Sequence, residues 1–188
     1  MNAIYELPST HSWDDLTKLI DTVPFLHHQV LRQKLASLNR IIQRIAQNHV
    51  VPLTVMDPFE RQFLAMADLL ETNMEEQECW LFAWLRRIVK RGLAIGHDNY
   101  LEESLEEAMA QAAAANQEVL DALDQIQMCL CGPEWMDKGI LVEELIDHLR
   151  DLQEELAEYD HLEREELFKS VRRFCQSCAK EEEMNHAY

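Results

Sequence analysis

Residues 73–82 read NMEEQECWLF, and how this stretch sits in its helix decides the fold. Apolar residues around it recur at three- and four-residue steps. Phe63, Met66 and Leu70 come before it, Trp80 and Leu81 lie within it, and Trp84 and Ile88 come after. That spacing is the one-sided stripe of an amphipathic helix. Continued at the same steps, the stripe also takes in Asn73 and Gln77. An amide on a core-facing stripe costs free energy unless another buried group bonds it. Residues that break their own pattern mark functional or strained places.

Outward from this helix the same periodicity runs through three more segments. Upstream, a short helix over 13–22 is capped by Ser12, with Asp14 and Asp15 in its first turn. Pro24 then starts or kinks a long helix that runs to about His49. Its stripe is Leu31, Leu35, Leu38, Ile42 and Ile45, and at the same spacing it extends to His28 and His49. Residues 50–56, with Pro52, form a connector.

Asp57-Pro58 reads as the start of the second helix, an N-cap followed by proline at the first helical position. That helix reaches about Lys90, where Arg86, Arg87 and Lys90 suit the C-terminal dipole, and Gly92 and Gly96 end it. Asp98 or Asn99 caps a third helix from Tyr100 to about Leu130, whose centre is AMAQAAAANQ. Cys131-Gly132-Pro133 breaks the chain before a fourth helix over 140–179, striped by Leu141, Leu145, Leu149, Leu152, Leu156 and Leu167. Four long amphipathic helices with short connections predict an all-α, antiparallel up-down-up-down four-helix bundle over residues 12–180. An irregular leader over 1–11 and an acidic tail over 181–188 flank it.

Composition narrows the function. The 188 residues suit one domain with a real core, and only 4 glycines and 5 prolines accompany a hydrophobic content of 47%. A net charge of −18, from 35 acidic against 17 basic residues, offers no basic field for nucleic acid or an anionic membrane. No apolar run is long enough to span a bilayer, and the N-terminal stretch lacks the pattern of a signal peptide. Five cysteines in such a chain are expected to be reduced thiols, which places it in the cytoplasm.

Counting residues from the turns places several polar side chains at one depth. His28 lies about 25 residues before the first connector, and Asn73 and Gln77 about 20 to 24 after it. The fourth stripe passes through Tyr159 and Glu163 at a comparable depth, and the third helix offers Ala112, Ala113 and Asn116. The spacing predicts a polar layer of His28, Asn73, Gln77, Tyr159, Glu163 and Asn116 inside an otherwise apolar bundle.

At these positions the chain resembles the hemerythrin-like helical bundles, in particular the repair-of-iron-centres branch of di-iron proteins, over roughly residues 16–170. The family's His-x-x-Leu-Arg-x-x-Leu stands here as His28, Leu31, Arg32 and Leu35, and His49 lies downstream at family-like spacing. Its His-x-x-x-Glu-Glu-x-x-Leu-Phe becomes Asn73, Gln77, Glu78, Leu81 and Phe82, and in the fourth helix the frame reads Tyr159, Glu163, Leu167 and Phe168. The resemblance implies a di-iron centre held by histidines and two bridging glutamates, and a role in iron or nitric-oxide stress. Only His28 and Glu163 match that ligand set. Asn73, Tyr159 and Ala113 stand where the family has histidine, and Gln77 where it has glutamate. Amides are poor iron ligands, so the expectation is one metal, iron foremost, held by His28, Tyr159 and Glu163, or a metal-free polar network.

Other constellations have blander readings. His161-x-x-x-Glu165 is a metal-like pair but lies about 200° off the stripe, facing outward. Cys175-x-x-Cys178 and Cys129-x-Cys131 are expected at opposite ends of the bundle, too far apart for a four-thiolate zinc site. No nucleophile–base pair, phosphate loop or nucleotide fingerprint supports an ordinary enzyme class. Two functions remain: a divergent metal protein, or a pseudo-site bundle that binds a protein partner. A homodimer is compatible with either.

Overall fold

The computed structural model describes residues 13–91, 99–136 and 139–186. Among these residues the chain is all-α, built from four long helices. The first is α1 (Trp13–Gln47). The second runs through α2 (Leu53–Glu76), a π-helical turn here called π1 (Gln77–Leu81), and α3 (Phe82–Arg91). The third is α4 (Asn99–Leu130). The fourth runs through α5 (Ile140–Leu162), a second π-turn π2 (Glu163–Phe168), and α6 (Lys169–His186). No helix among the described residues is long and apolar enough to cross a membrane.

The ends of these helices depart from local signals where burial outweighs them. Pro24 lies inside α1 and neither starts nor breaks it, so the two expected N-terminal helices are one. An internal proline costs about 3 kcal/mol. Leu16, Leu19, Ile20 and Val23 are all buried before it, each worth about 1.5–3 kcal/mol, which is enough to hold the turn. The second helix begins at Leu53, ahead of Asp57-Pro58. There the Val55 and Met56 amides both donate to the Pro52 carbonyl, at 2.9 and 3.0 Å. Burial of Met56 and Phe59, the latter 4.7 Å from the Trp135 ring, draws this turn into the helix. The segment from 181 is helical as far as His186. The leader over 1–11, Ser12, Gly92, Gly96 and Asp98 lie outside the described residues.

The C-terminus of α1 corrects the reading of His49. The Val50 amide donates to the Ile45 carbonyl and the His49 amide to the Ala46 carbonyl, both at 3.2 Å. This is a Schellman motif, and it puts His49 in the left-handed position with φ of 50°. His49 is exposed and lies outside the core stripe. The helix ends before the stripe reaches it.

The chain divides into two compact units. One draws its described residues from Met1–Phe25, Glu76–Ala112 and His161–Tyr188, the other from Leu26–Glu75 and Ala113–Asp160. Each is a bundle of four helical segments. In the second unit Leu31, Leu35, Leu38, Ile42 and Ile45 of α1 are buried, as are Phe63, Met66 and Leu70 of α2. Val119, Leu123 and Ile126 of α4 and Leu145, Leu149, Leu152 and Leu156 of α5 complete that core. Arg44 pairs with Glu144 at 3.3 Å, while His28 meets Tyr159, so α1 and α5 run in opposite directions there.

In the first unit, Leu16, Leu19, Ile20 and Val23 share a core with Leu81, Phe82, Leu85, Ile88 and Val89, and with Leu105, Met109, Leu167, Phe168 and Val171. Arg86 pairs with Asp21 across it. Arg172 holds Glu106 through two hydrogen bonds of 2.6 Å, which keep the Glu106 carboxyl below its usual range and the Arg172 guanidinium above its own.

Each π-turn re-aims the helix downstream of it. A π-turn accommodates one residue more than an α-turn, rotating the downstream face. Of the expected stripe, Leu81 and Ile88 are buried, and Phe82, Leu85 and Val89 join them in place of Trp80 and Trp84. Trp84 is half-buried and Trp80 is 75% exposed.

Candidate functional site

The candidate site is a set of buried polar side chains. His28, Asn73, Gln77, Asn116 and Glu163 are all buried, and Tyr159 with them. Ser170 joins the buried polar set, and nothing in the stripe of the fourth helix singled it out. Ala113 is half-buried, whereas Ala112 and Asn116, one turn apart, face the core of α4. On that helix it is therefore Asn116, and not Ala113, that brings a polar group into the interior.

The second unit contains His28, Asn73, Asn116 and Tyr159. His28 and Tyr159 are brought together: His28 Nε2 and the Tyr159 hydroxyl share a hydrogen bond of 3.1 Å. Their rings meet edge to face with centroids 5.1 Å apart. The neighbouring His27 also faces α5. Its Nδ1 lies 2.8 Å from Glu155 Oε1, and its ring centroid lies 5.6 Å from that of Tyr159. Tyr159 thus meets two adjacent histidines, and Glu155, one helical turn earlier, holds His27. The signal for this pair was available in the sequence as His27 beside His28 and Glu155 four residues before Tyr159.

Asn73 is the exception in this set. Its side-chain nitrogen is buried and has no hydrogen-bond partner among the described residues. Such a donor forfeits about 1–3 kcal/mol relative to a satisfied one.

Gln77 and Glu163 belong to the first unit, and both stand at the first position of a π-turn, Gln77 in π1 and Glu163 in π2. Glu163 has no exposed surface at all. The frames match residue for residue. Asn73, Gln77, Leu81 and Phe82 occupy in the second helix the places that Tyr159, Glu163, Leu167 and Phe168 occupy in the fourth.

The donor chemistry can be tested against a two-metal centre. Such a centre needs several anionic or imidazole donors converging. Here two of the positions are neutral amides, one amide presents an unsatisfied N–H, and the phenol is engaged by His28. Among the described residues, no three His, Cys, Asp or Glu side chains come together in a metal-holding group. The residues present do not fit two metals.

The remaining sequence candidates stay apart. His161 and Glu165 are exposed, and Glu165 pairs with Lys169, which holds its carboxyl below the usual range. His148 Nδ1 lies 2.9 Å from the Glu144 carbonyl of its own helix. Cys129 and Cys131 belong to the second unit, Cys175 and Cys178 to the first, and all five cysteines are unbridged. Comparisons with family models, with curated proteins and with solved structures find no match to this chain.

Proposed function

We propose that this chain is a hemerythrin-like bundle of antiparallel, up-down-up-down helices, cytoplasmic, in which ligand positions have become a buried polar core. It acts by binding a protein partner. The observation that supports this most is the His28–Tyr159 hydrogen bond inside the core, which engages the imidazole nitrogen with a phenol. The amides at Asn73 and Gln77 add to it, since a neutral amide is a poor substitute for histidine or glutamate at a metal.

A second reading keeps one metal ion on His28, Tyr159 and Glu163, with iron or nitric-oxide handling as its role. It is favoured by the near-complete burial of these three groups, whose imidazole, phenolate and carboxylate would make a workable ligand trio.

Metal content by mass spectrometry, on protein purified without an affinity tag and again after anaerobic Fe(II) addition, separates the readings. Less than about a tenth of a metal per chain supports the partner-binding bundle. One metal per chain, lost in His28→Ala and Glu163→Ala, supports the single-ion site. About two per chain overturns both and restores the di-iron centre.

A further inference from the structure

The partner-binding reading leaves open which face binds, and the face of π1 and α3 presents one exposed tryptophan with a second, half-buried one a turn away. Trp80 is 75% exposed and Trp84, one turn on, is half-buried. A tryptophan carries about 150–250 Å² of largely apolar surface, and leaving it in water has no benefit to a monomer. Nor is this exposure forced by a loop. It arises from π1, whose extra residue turns Leu81 and Phe82 into the core and Trp80 out of it.

The charges on this face have an order. Glu76 lies four residues before Trp80, and Arg87 three residues after Trp84, and both are exposed. Trp80, Trp84 and Arg87 follow at three- and four-residue steps, and Glu76 precedes Trp80 by about one turn across π1, so the four share one side, with the small Ala83 at its edge. Along the helix the face runs acidic, aromatic, aromatic, basic. Reversed, it is its own complement. Turned end for end about a point near Phe82, Glu76 falls opposite Arg87, and Trp80 opposite Trp84.

We infer that this face pairs with a second copy of the chain, antiparallel about a two-fold axis, with Trp80 packed on the partner's Trp84 and Glu76 on the partner's Arg87. Isologous contacts of this kind need one patch that is complementary to itself. The net charge of −18 disfavours contact between two copies, and this face carries both signs. Two tryptophans a side bury less than the roughly 800 Å² per partner of a standard interface, so the dimer is a concentration-dependent one. This inference rests on the reading of the chain as a binding protein.

Sedimentation equilibrium over a range of concentrations tests it, alone and with variants at exposed positions. The wild-type chain is expected to dimerise, and Trp80→Ala to weaken the dimer by about thirtyfold or more, as central interface tryptophans do. Glu76→Arg and Arg87→Glu are each expected to weaken it, since each sets like charges opposite one another. The double variant carrying both is expected to recover it, because the pairs reform with signs exchanged.

A monomer at all concentrations, or a dimer indifferent to Trp80→Ala, overturns the inference. So does a double variant no better than the singles. A metal-free monomer defeats this pairing and leaves the partner-binding reading standing. A chain that takes up stoichiometric iron defeats that reading instead. Circular dichroism on each variant shows that the helices remain.

Discussion

Replacing Asn73 with leucine should make this protein more stable, although it changes a polar residue inside the candidate site. The side chains have the same number of heavy atoms in the same branching, but the amide nitrogen is buried with no acceptor. Removing such a donor recovers about 1–3 kcal/mol. Leucine adds a few tenths of a kcal/mol in helix propensity over asparagine. Against this stands the larger volume of the methyl groups, and overpacking costs about 1–3 kcal/mol where the surroundings cannot give.

Asn73→Ala separates the two effects, since it deletes the amide without adding bulk and improves helix propensity. Stability at least equal to wild type is expected for alanine, and a gain of about 1–2 kcal/mol for leucine if the core yields. For a chain of this size that gain raises Tm by roughly 2–8 °C. Urea denaturation monitored by far-UV circular dichroism measures it, with m checked for constancy. A loss of more than about 1 kcal/mol in both variants would refute the reasoning. It would mean that the amide has an acceptor in solution, an internal water or a bound group, and that the polar core is hydrated.

Three further outcomes are expected. Tyr159→Phe keeps the ring against His27 and His28 but takes the hydroxyl away from His28 Nε2. It should cost about 1–3 kcal/mol by urea denaturation, and less when combined with His28→Leu, because both polar partners are then removed. His49→Gly relieves a left-handed residue at the end of α1 and should stabilise by about 1 kcal/mol, or roughly 2–4 °C in Tm, where an exposed histidine contributing packing would show a loss. The Glu106 carboxyl is held below its ordinary value by Arg172, so its contribution to stability is present above the unfolded pKa and is lost as pH falls through the lower folded value. Both partners are well exposed, so Arg172→Met should cost at most about 1 kcal/mol at pH 7. The difference from wild type should shrink as acid titrates Glu106, and a difference that grows on acidification would show the pair is not its source.

The class of fold was legible because period and length are redundant signals: dozens of apolar residues repeat at helical steps, and a few errors do not change the sum. The buried polar set was legible for the same reason in reverse. His28, Asn73, Gln77, Asn116, Tyr159 and Glu163 stand on apolar stripes, and a stripe faces inward whatever occupies it. Helix ends were less so. Asp57-Pro58 carries a strong local start signal, yet burial of Met56 and Phe59 extends the helix back past it. His49 continued a stripe on paper, but the chain had already turned away through a residue type that gives no glycine-like warning. Ser170 was missed because a small hydroxyl on a helix leaves little mark on an apolar pattern.

The π-turns were invisible for a different reason. A scheme with 3.6 residues per turn absorbs one extra residue as noise, and what remains is a doubled apolar pair, Leu81-Phe82 in one helix and Leu167-Phe168 in the other. Both members of each pair are buried, but so are Leu19-Ile20 and Ile41-Ile42 in α1, so a buried doubled pair does not by itself announce the turn. The first position of the turn is a neutral amide in π1 and a carboxyl in π2, and the turn forms in both. The charge at that position therefore does not decide the backbone. The same geometry that buries Leu81 and Phe82 puts Trp80 in solvent, so the exposed aromatic face and the buried polar residue at the head of π1 are two consequences of one local distortion.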